Sequence, residues 1–236
     1  MRACPLLLAA VLAGCGTAPP PAPSATAASP SAVATSPSAA AFSPSAPASP
    51  PRSVRPKRTT SGWEITVYYT AVEKYHDGEP TQVTGCPRLE CSNGDDDLGT
   101  YPAGFVEAVE EEGTGRTSSG KYLNWSHDVG FWLDSAPRSS DGNVLTPWVS
   151  AAADPDVLPH GTRFTVAACG TQEDGSRAPS AVCTALRKAA WRITDEFTPG
   201  LGGPKHLDAY IGPETGPGFT DSEWYLTLVG ARLALD

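Results

Sequence analysis

Apolar and polar residues alternate with a period of two in several short segments, and glycine and proline separate these segments. Such alternation is typical of half-buried strands. The clearest run covers residues 63–70 (WEITVYYT). Further runs cover residues 163–168, 191–194, 207–211 and 224–229, with 231–235 as a last candidate. The pattern predicts a mainly β domain in which about six short strands form a small barrel or sandwich.

Two segments have helical periodicity instead. Residues 102–112 and 179–188 each place apolar side chains on one stripe, and a proline stands at the start of each, where its missing N–H costs nothing. The stripe residues are Phe105, Val106, Val109, Val182 and Leu186. Both helices lie next to cysteines in the sequence. We therefore expect residues 84–112 and 169–190 to be disulfide-stapled helical insertions on a β core.

The N-terminus has the composition of an export signal. A single Arg2 precedes an apolar stretch, residues 5–13, which is too short to span a membrane. The stretch ends in Leu-Ala-Gly-Cys15, which is similar to a bacterial lipobox. We expect residues 1–14 to be a lipoprotein signal peptide and Cys15 to carry the lipid. The alternative is an ordinary cleaved signal with an incidental cysteine. Export would place the protein on the outer face of the cell membrane, facing the cell wall, or in the outer membrane if the cell is Gram-negative.

Residues 15–58 consist almost entirely of alanine, proline, serine and threonine and contain no acidic residue. Such a segment cannot bury enough apolar surface to offset the entropy lost on ordering, so we expect a disordered tether. Residues 59–236 are long enough for one domain with its own core. They carry a net charge of −14 from 12 basic and 26 acidic residues. This charge argues against nucleic acid as a partner.

Four cysteines remain beyond Cys15: Cys86, Cys91, Cys169 and Cys183. An even number in an exported chain favours two disulfides, for which three pairings exist. We expect the local pairing, Cys86 with Cys91 and Cys169 with Cys183. No C-x-x-C spacing supports zinc binding as the alternative.

Three aspartates lie at the edges of apolar or β-branched runs, where short strands would deliver carboxylates to one end of a barrel. They are Asp154, Asp195 and Asp208. Carboxylates placed in this way indicate a site for proton chemistry rather than a packing surface.

The order and spacing of these residues resemble the three-aspartate (3D) domain of the membrane-bound lytic transglycosylase A family. Residues 153–162 (ADPDVLPHGT) are close to the family pattern V-D-P-x-x-I-P-x-G-T. Residues 66–70 resemble its opening A-x-A-Y-T strand, and residues 115–120 resemble its G-x-T-A-x-G turn. Residues 195–210 take the place of D-T-G-G-A-I-K-G-x-x-I-D-x-Y, with two more residues between the aspartates.

The resemblance implies a six-stranded double-psi β-barrel that cuts the glycan strand of peptidoglycan, without a metal or other cofactor. It implies Asp208 as the general acid/base and Asp195 as the neighbouring anion that raises its pKa. Asp154 is expected to fix loops through backbone hydrogen bonds. The other candidate substrate-binding residues are Tyr69, Thr70, Thr117, Lys205, His206 and Tyr210.

Aromatic rings stack on pyranose faces, so Trp125, Trp132, Trp148 and Tyr69 are candidate sugar platforms, although aromatics of this kind are more often core residues. Other constellations give weaker signals. Residues 126–128 (Ser-His-Asp) are consecutive and cannot form a triad. Residues 93–104 have only part of a calcium-loop pattern.

The sequence leaves the function open between two classes. The first is a membrane-tethered, monomeric enzyme of peptidoglycan turnover with lytic transglycosylase activity. The second is a non-catalytic glycan-binding lipoprotein with an expansin-like barrel, since a fold does not confer chemistry. A hydrolase that uses water as nucleophile is a third reading, and it would need a second carboxyl across the bond.

Overall fold

The computed structural model describes residues Arg58–Asp236. The predicted signal peptide, Cys15 and all but the last residue of the predicted tether lie outside the described residues. The twelve strands are β1 Arg58–Val72, β2 Pro80–Gly85, β3 Asp96–Pro102, β4 Thr114–Arg116, β5 Tyr122–Ser126, β6 Gly130–Asp134, β7 Ser150–Ala152, β8 Arg163–Ala168, β9 Thr171–Gln172, β10 Trp191–Asp195, β11 His206–Pro213 and β12 Leu228–Leu235. The two α-helices are α1 Ala103–Glu112 and α2 Ser180–Lys188.

Six of these strands close into a barrel in the order β1-β11-β7-β10-β8-β12, and β12 pairs back onto β1. The β1–β11 and β10–β7 pairs are parallel, and the other four pairs of the ring are antiparallel. Closure removes the exposed edges that an open sheet of six strands would have. The predicted mainly β fold with a six-stranded barrel is confirmed.

The barrel interior is filled by the side chains that the period-two pattern predicts. In β1 the inward residues Trp63 and Ile65 are almost completely buried. Large residues from the facing strands complete this core: Phe164, Val166, Trp191, Ile193, Leu207 and Leu233. The indole N–H of Trp191 donates to the carbonyl of Leu186 at 2.9 Å, so the buried polar atom of this ring is satisfied.

One predicted strand is wrong and one barrel strand is absent from the prediction. Residues 224–227 form a turn and a loop, and β12 begins only at Leu228 and continues through the separately predicted run 231–235. Trp224 packs edge-on against Trp148 at 5.8 Å, so its apolar character serves packing from a loop. β7 consists of Ser150, Ala151 and Ala152, which are small residues of low strand propensity. Its strand geometry comes from pairing with β10 and β11 on either side.

Both predicted helices are present. α1 packs on an outer core built around Phe105, Val109 and Leu123, and α2 buries Val182 and Leu186 against the barrel. None of the helices in the described part of the chain is long and apolar enough to cross a membrane.

The predicted local disulfide pairing is confirmed. Cys86–Cys91 lies at the tip of the hairpin formed by β2 and β3, just before α1, and Cys169–Cys183 ties the end of β8 to α2.

The C-terminal end of β1 extends beyond the barrel and carries a second sheet. Ala71 and Val72 pair with β4, and β4, β5 and β6 then follow as an antiparallel meander. This meander and α1 rise beside the barrel. Residues at the ends of α1 and β5 line the same cleft as Asp195 of β10 and Asp208 of β11.

We expect the two disulfides to contribute unequally to stability. Replacing Cys169 and Cys183 by alanine opens a loop with a sequence separation of 14, for which chain entropy predicts a loss of roughly 3 kcal/mol in the free energy of unfolding. The matched Cys86/Cys91 double variant opens a separation of only 5 and should lose about 1 kcal/mol less. Urea unfolding of the two variants beside the wild type tests this order. Equal losses would contradict it.

Candidate active site

The register of four neighbouring strands brings the central polar residues together. Thr66 on β1 pairs with Asp208 on β11, and Asp208 pairs in turn with Ala152 on β7. Ala152 also pairs with Asp195 on β10. Residues paired across a sheet point to the same face. The two aspartates therefore flank Ala152 on one face, with α-carbons roughly 10 Å apart, which is two strand spacings.

Asp195 is held rigidly by hydrogen bonds to its two oxygens. Its Oδ2 accepts the phenolic O–H of Tyr68 at 3.1 Å. Its Oδ1 accepts the backbone N–H and the hydroxyl of Ser140, both at 3.2 Å, and the N–H of Glu196 at 2.9 Å. Burial raises the pKa of Asp195, and these donors oppose the rise because they stabilise the carboxylate. The pattern is that of a charged group whose position is fixed.

Asp208 has a different environment. Its Oδ1 is buried and has no hydrogen-bond partner, although the residue as a whole is partly exposed. Burial, followed by the charge of Asp195, raises the pKa of Asp208 to about 7, and hydrogen bonds from Thr66 and from the N–H of Ala209 oppose the rise. At neutral pH the acid and the carboxylate forms are both populated. This is the property required of a general acid/base.

Both aspartates line a cleft of about 590 Å³. Its floor is the face of β1, β7 and β11 opposite the barrel core, with Thr66, Tyr68 and Ala152, and one wall is the C-terminal end of α1. The loops that follow β5, β6 and β10 complete the walls. Nine of the lining residues are acidic: Glu110, Glu111, Glu112, Asp128, Asp141, Glu173, Asp195, Glu196 and Asp208. Arg138 is the one arginine of the lining, and it is bonded to Asp134 at 3.0 Å. A negative cleft of this kind favours positive charge in a bound species.

Among the predicted substrate-binding residues, His206 lines this cleft. Its Nε2 lies 2.9 Å from the Thr66 hydroxyl, and its ring lies 4.5 Å from that of Phe197. The other six lie outside the lining. Tyr69, Thr70, Thr117 and Tyr210 are buried, and the exposed Lys205 donates to the carbonyl of Ser61 at 2.7 Å. Substrate contacts for these residues stay predictions.

Asp154 lies beside the long β10–β11 loop. Its backbone carbonyl accepts the N–H groups of Val157 and Leu158 at 2.9 and 3.0 Å, which forms the turn after β7. A Cβ added at Gly202 would lie 2.0 Å from Oδ1 of Asp154, so only glycine allows this approach. Asp154 thus lies against the loop that links the two other aspartates, and a loop-fixing role for its carboxylate stays a prediction.

The four aromatic residues proposed as sugar platforms differ in burial and in position. Trp125 is half-buried and lines the cleft. Trp132 and Tyr69 are buried, and Trp148 packs on Trp191 and Trp224.

Sequence reasoning did not identify three groups of the cleft: Tyr68, Glu112 and Tyr225. The period of two in β1 places Tyr68 on the same face as Thr66. Pairing β1 with the strand that carries Asp208 would therefore have predicted Tyr68 as a cleft residue. Glu112 stands in a run of three glutamates at the end of α1, and nothing in the run distinguishes the buried one. Tyr225 lies in the segment predicted as a strand. The residue is 38% exposed, and its hydroxyl donates a hydrogen bond to Glu112.

Three residues near the rim could offer ligands to a metal ion. Asp141, His160 and Glu196 each place one ligand atom within 4.8 Å of the others. Nδ1 of His160 lies 3.0 Å from Oδ2 of Asp141, which an ion pair also explains. Asp141 and His160 are exposed and Glu196 is half-buried, and exposed acidic groups often cluster without a metal.

Comparisons with known proteins found structural likeness only. No family model and no curated protein matches the chain. The structure of Escherichia coli MltA with bound chitohexaose is 14% identical and aligns over 73% of this chain and 71% of its own, with a TM-score of 0.47. A membrane-bound lytic murein transglycosylase from Agrobacterium tumefaciens is 11% identical over 76% of both chains, with a TM-score of 0.46. The lytic transglycosylase LtgG of Burkholderia pseudomallei is 14% identical over 74% and 72%, with a TM-score of 0.41. At these identities and scores the likeness assigns neither a function nor a residue role to this chain.

The space above Ala152 gives a first prediction for the site. Ala152→Leu would place three more carbon atoms between the two aspartates on the cleft floor. We expect ligand binding and any activity to fall by at least about tenfold, while overpacking costs about 1–3 kcal/mol of stability. Glycan co-sedimentation and thermal unfolding of the variant measure the two effects. Full binding with a filled floor would contradict this placement of the site.

The cost of keeping Asp208 in this environment gives a second prediction. The pKa of Asp208 is raised to about 7 in the folded state, so ionisation of this carboxyl favours the unfolded state. The free energy of unfolding is therefore unaffected below about pH 4 and falls as the pH rises to about 7. Asp208→Asn removes the ionisation, so the variant should melt several degrees above the wild type at pH 8 and close to it at pH 4. Calorimetry at the two pH values measures this. A variant that is less stable at pH 8 would show that the carboxylate is well solvated.

Proposed function

We propose that this protein cleaves the glycan strand of peptidoglycan by a lytic transglycosylase reaction, with Asp208 as the general acid/base. The observation that carries the proposal is the state of Asp208. It is a carboxyl with a buried, unbonded oxygen and a pKa of about 7, and it stands on the floor of a cleft large enough for sugar rings. The resemblance of residues 153–162 and 195–210 to the three-aspartate pattern supports the choice of substrate.

The proposed chemistry needs no external nucleophile. The protonated carboxyl of Asp208 donates its proton to the glycosidic oxygen between N-acetylmuramic acid and N-acetylglucosamine, and the bond from C1 of the muramic acid to that oxygen breaks. The C6 hydroxyl of the same muramic acid forms the new bond to C1 and releases its proton, which restores Asp208. The product is a 1,6-anhydro sugar. Since the nucleophile already belongs to the substrate, no carboxylate has to position a water molecule.

Asp195 and Tyr68 support this role from the neighbouring strands. The carboxylate of Asp195 raises the pKa of Asp208 and lies on the same face of the sheet. The hydroxyl of Tyr68 fixes that carboxylate at 3.1 Å. The negative lining would also stabilise the positive charge that develops at C1 in an oxocarbenium-like transition state.

The setting fits a wall-facing enzyme. Two disulfides lie in the described part of the chain, as is usual in oxidising compartments outside the cytoplasm. Together with the lipobox-like sequence before Cys15, this supports an exported protein that is anchored by lipid and works on the wall from its membrane. A role in peptidoglycan turnover would follow from that location.

The test is mass spectrometry of purified peptidoglycan digested with the full-length protein. We expect anhydro-muropeptides from the wild type, and from Asp208→Asn a loss of at least about 100-fold, which is the usual contribution of a general acid. Asp221→Asn, an exposed aspartate outside the cleft, is the matched control and should keep full activity. Reducing-end products would make the protein a hydrolase. Wall binding without any product would make it a glycan-binding module.

A further inference from the structure

The cleft contains a second buried carboxyl that the chemistry above does not use. Glu112 is the last residue of α1 and is only 6% exposed, and the helix ends directly after it at Gly113, whose φ is 77°. This ending turns the chain away and leaves Glu112 in the wall of the cleft that contains Asp208. Its neighbours Glu110 and Glu111 also line the cleft but are exposed.

No positive group compensates the charge of Glu112 among the described residues. Its Oε2 accepts the backbone N–H of Tyr69 at 3.0 Å, and its Oε1 accepts the phenolic O–H of Tyr225 at 3.1 Å. Both partners are neutral. The position at the C-terminal end of a helix adds the negative end of the helix dipole. An ionised carboxyl is therefore costly here, and a protonated one is favoured.

Glu112 and Asp208 act on each other electrostatically. Burial and then the charge of Asp208 raise the pKa of Glu112 to about 8. The hydroxyl of Tyr225 lies in the field of both carboxyls, which together with burial raise its pKa. Tyr69 lies against Glu112 through its backbone N–H. The other charged or titratable groups that line the cleft are Tyr68, Glu110, Glu111, His127, Asp128, Arg138, Asp141, Glu173, Asp195, Glu196 and His206. Arg138 is bonded to Asp134, so it does not neutralise the pair.

We propose that Glu112 is a second catalytic carboxyl and works with Asp208 as an acid–base pair on the two sides of the bound glycan. This inference rests on the proposed function. It is carried by the placement of two buried carboxyls in one cleft, one from the wall and one from the floor, without a cation between them. Two titratable groups whose environments separate their proton affinities are the usual components of such a pair.

The proton balance of the paired reaction is simple. Asp208 is protonated at the start, as in the reaction above, and Glu112 is ionised. The protonated carboxyl donates to the glycosidic oxygen as the bond to C1 breaks, and the ionised one takes the proton of the C6 hydroxyl as the new bond to C1 forms. After the reaction the proton is on the opposite carboxyl, and it returns through the cleft before the next turnover. No oxidant, water or other reactant is consumed.

The pair predicts a distinctive pH profile. Between about pH 7 and pH 8 the pair holds one proton, because the charge of whichever carboxyl is ionised holds the proton on the other. The rate should rise as the first proton leaves and fall as the second leaves. The rising and falling limbs of this pH–rate profile report the two ionisations of the coupled pair and cannot be assigned to single residues.

The test is Glu112→Gln in the full-length protein, assayed for anhydro-muropeptide release. Glutamine keeps the shape and can still accept the N–H of Tyr69, so we expect correct folding, a KM within a few-fold of the wild type and a kcat at least about 100-fold lower. The remaining activity should show a single limb in its pH profile instead of two. Glu107→Gln, at an exposed glutamate of the same helix outside the cleft lining, is the matched control and should keep the wild-type rate and profile. Combining Glu112→Gln with Asp208→Asn should cost little more than either change alone.

A second measurement does not depend on activity. Titration of the labelled Glu112 carboxyl by ¹³C NMR should follow its protonation near pH 8 in the wild type and at lower pH in Asp208→Asn. An unmoved titration would overturn the pairing, and so would a Glu112→Gln variant with wild-type kcat, even though cleavage by Asp208 would then stand. If the wild type releases no product from peptidoglycan, the proposed function and this inference fall together.

Discussion

The structure depends on the pairing of β1 with two partners at once. Its 15 residues pair in parallel with β11 on one side and antiparallel with β12 on the other, and this double pairing closes the barrel. The same register places Thr66 next to Asp208. A slip of one residue would turn the apolar residues of β1 outward and move Asp208 to the wrong face. The burial of Trp63 and Ile65 in the core therefore also fixes the position of the candidate acid.

The cleft shows how one chain can give similar carboxyls different properties. Asp195 accepts four hydrogen bonds and is anchored as an anion. Asp208 has an unbonded oxygen, and Glu112 has only neutral partners. The latter two therefore hold protons at a pH where a free carboxyl would be ionised. Burying these two carboxyls without a partner for their charge lowers the stability of the fold at neutral pH. Such a cost is common at functional sites.

The accuracy of the sequence predictions follows from the range of the forces involved. β8 and the two helices were predicted almost to the residue because alternation, apolar stripes and proline starts are local signals. The short disulfide pairings follow from separation along the chain. β7 gave no signal because Ser150, Ala151 and Ala152 form a strand only between β10 and β11. The apolar run at Trp224 gave a false strand signal, because an apolar residue can pack against a core from a loop as well as from a strand.

The sequence by itself determined the residue chemistry and the local elements: three aspartates at strand edges, a mainly β core, and cysteines for two disulfides. The tertiary structure alone decided which of those groups meet. It aligned Asp208, Ala152 and Asp195 across β11, β7 and β10, and it buried one of three consecutive glutamates in the cleft wall. Strand register and burial come from long-range packing, so no local pattern could have shown that Glu112, rather than Glu111, is the buried one.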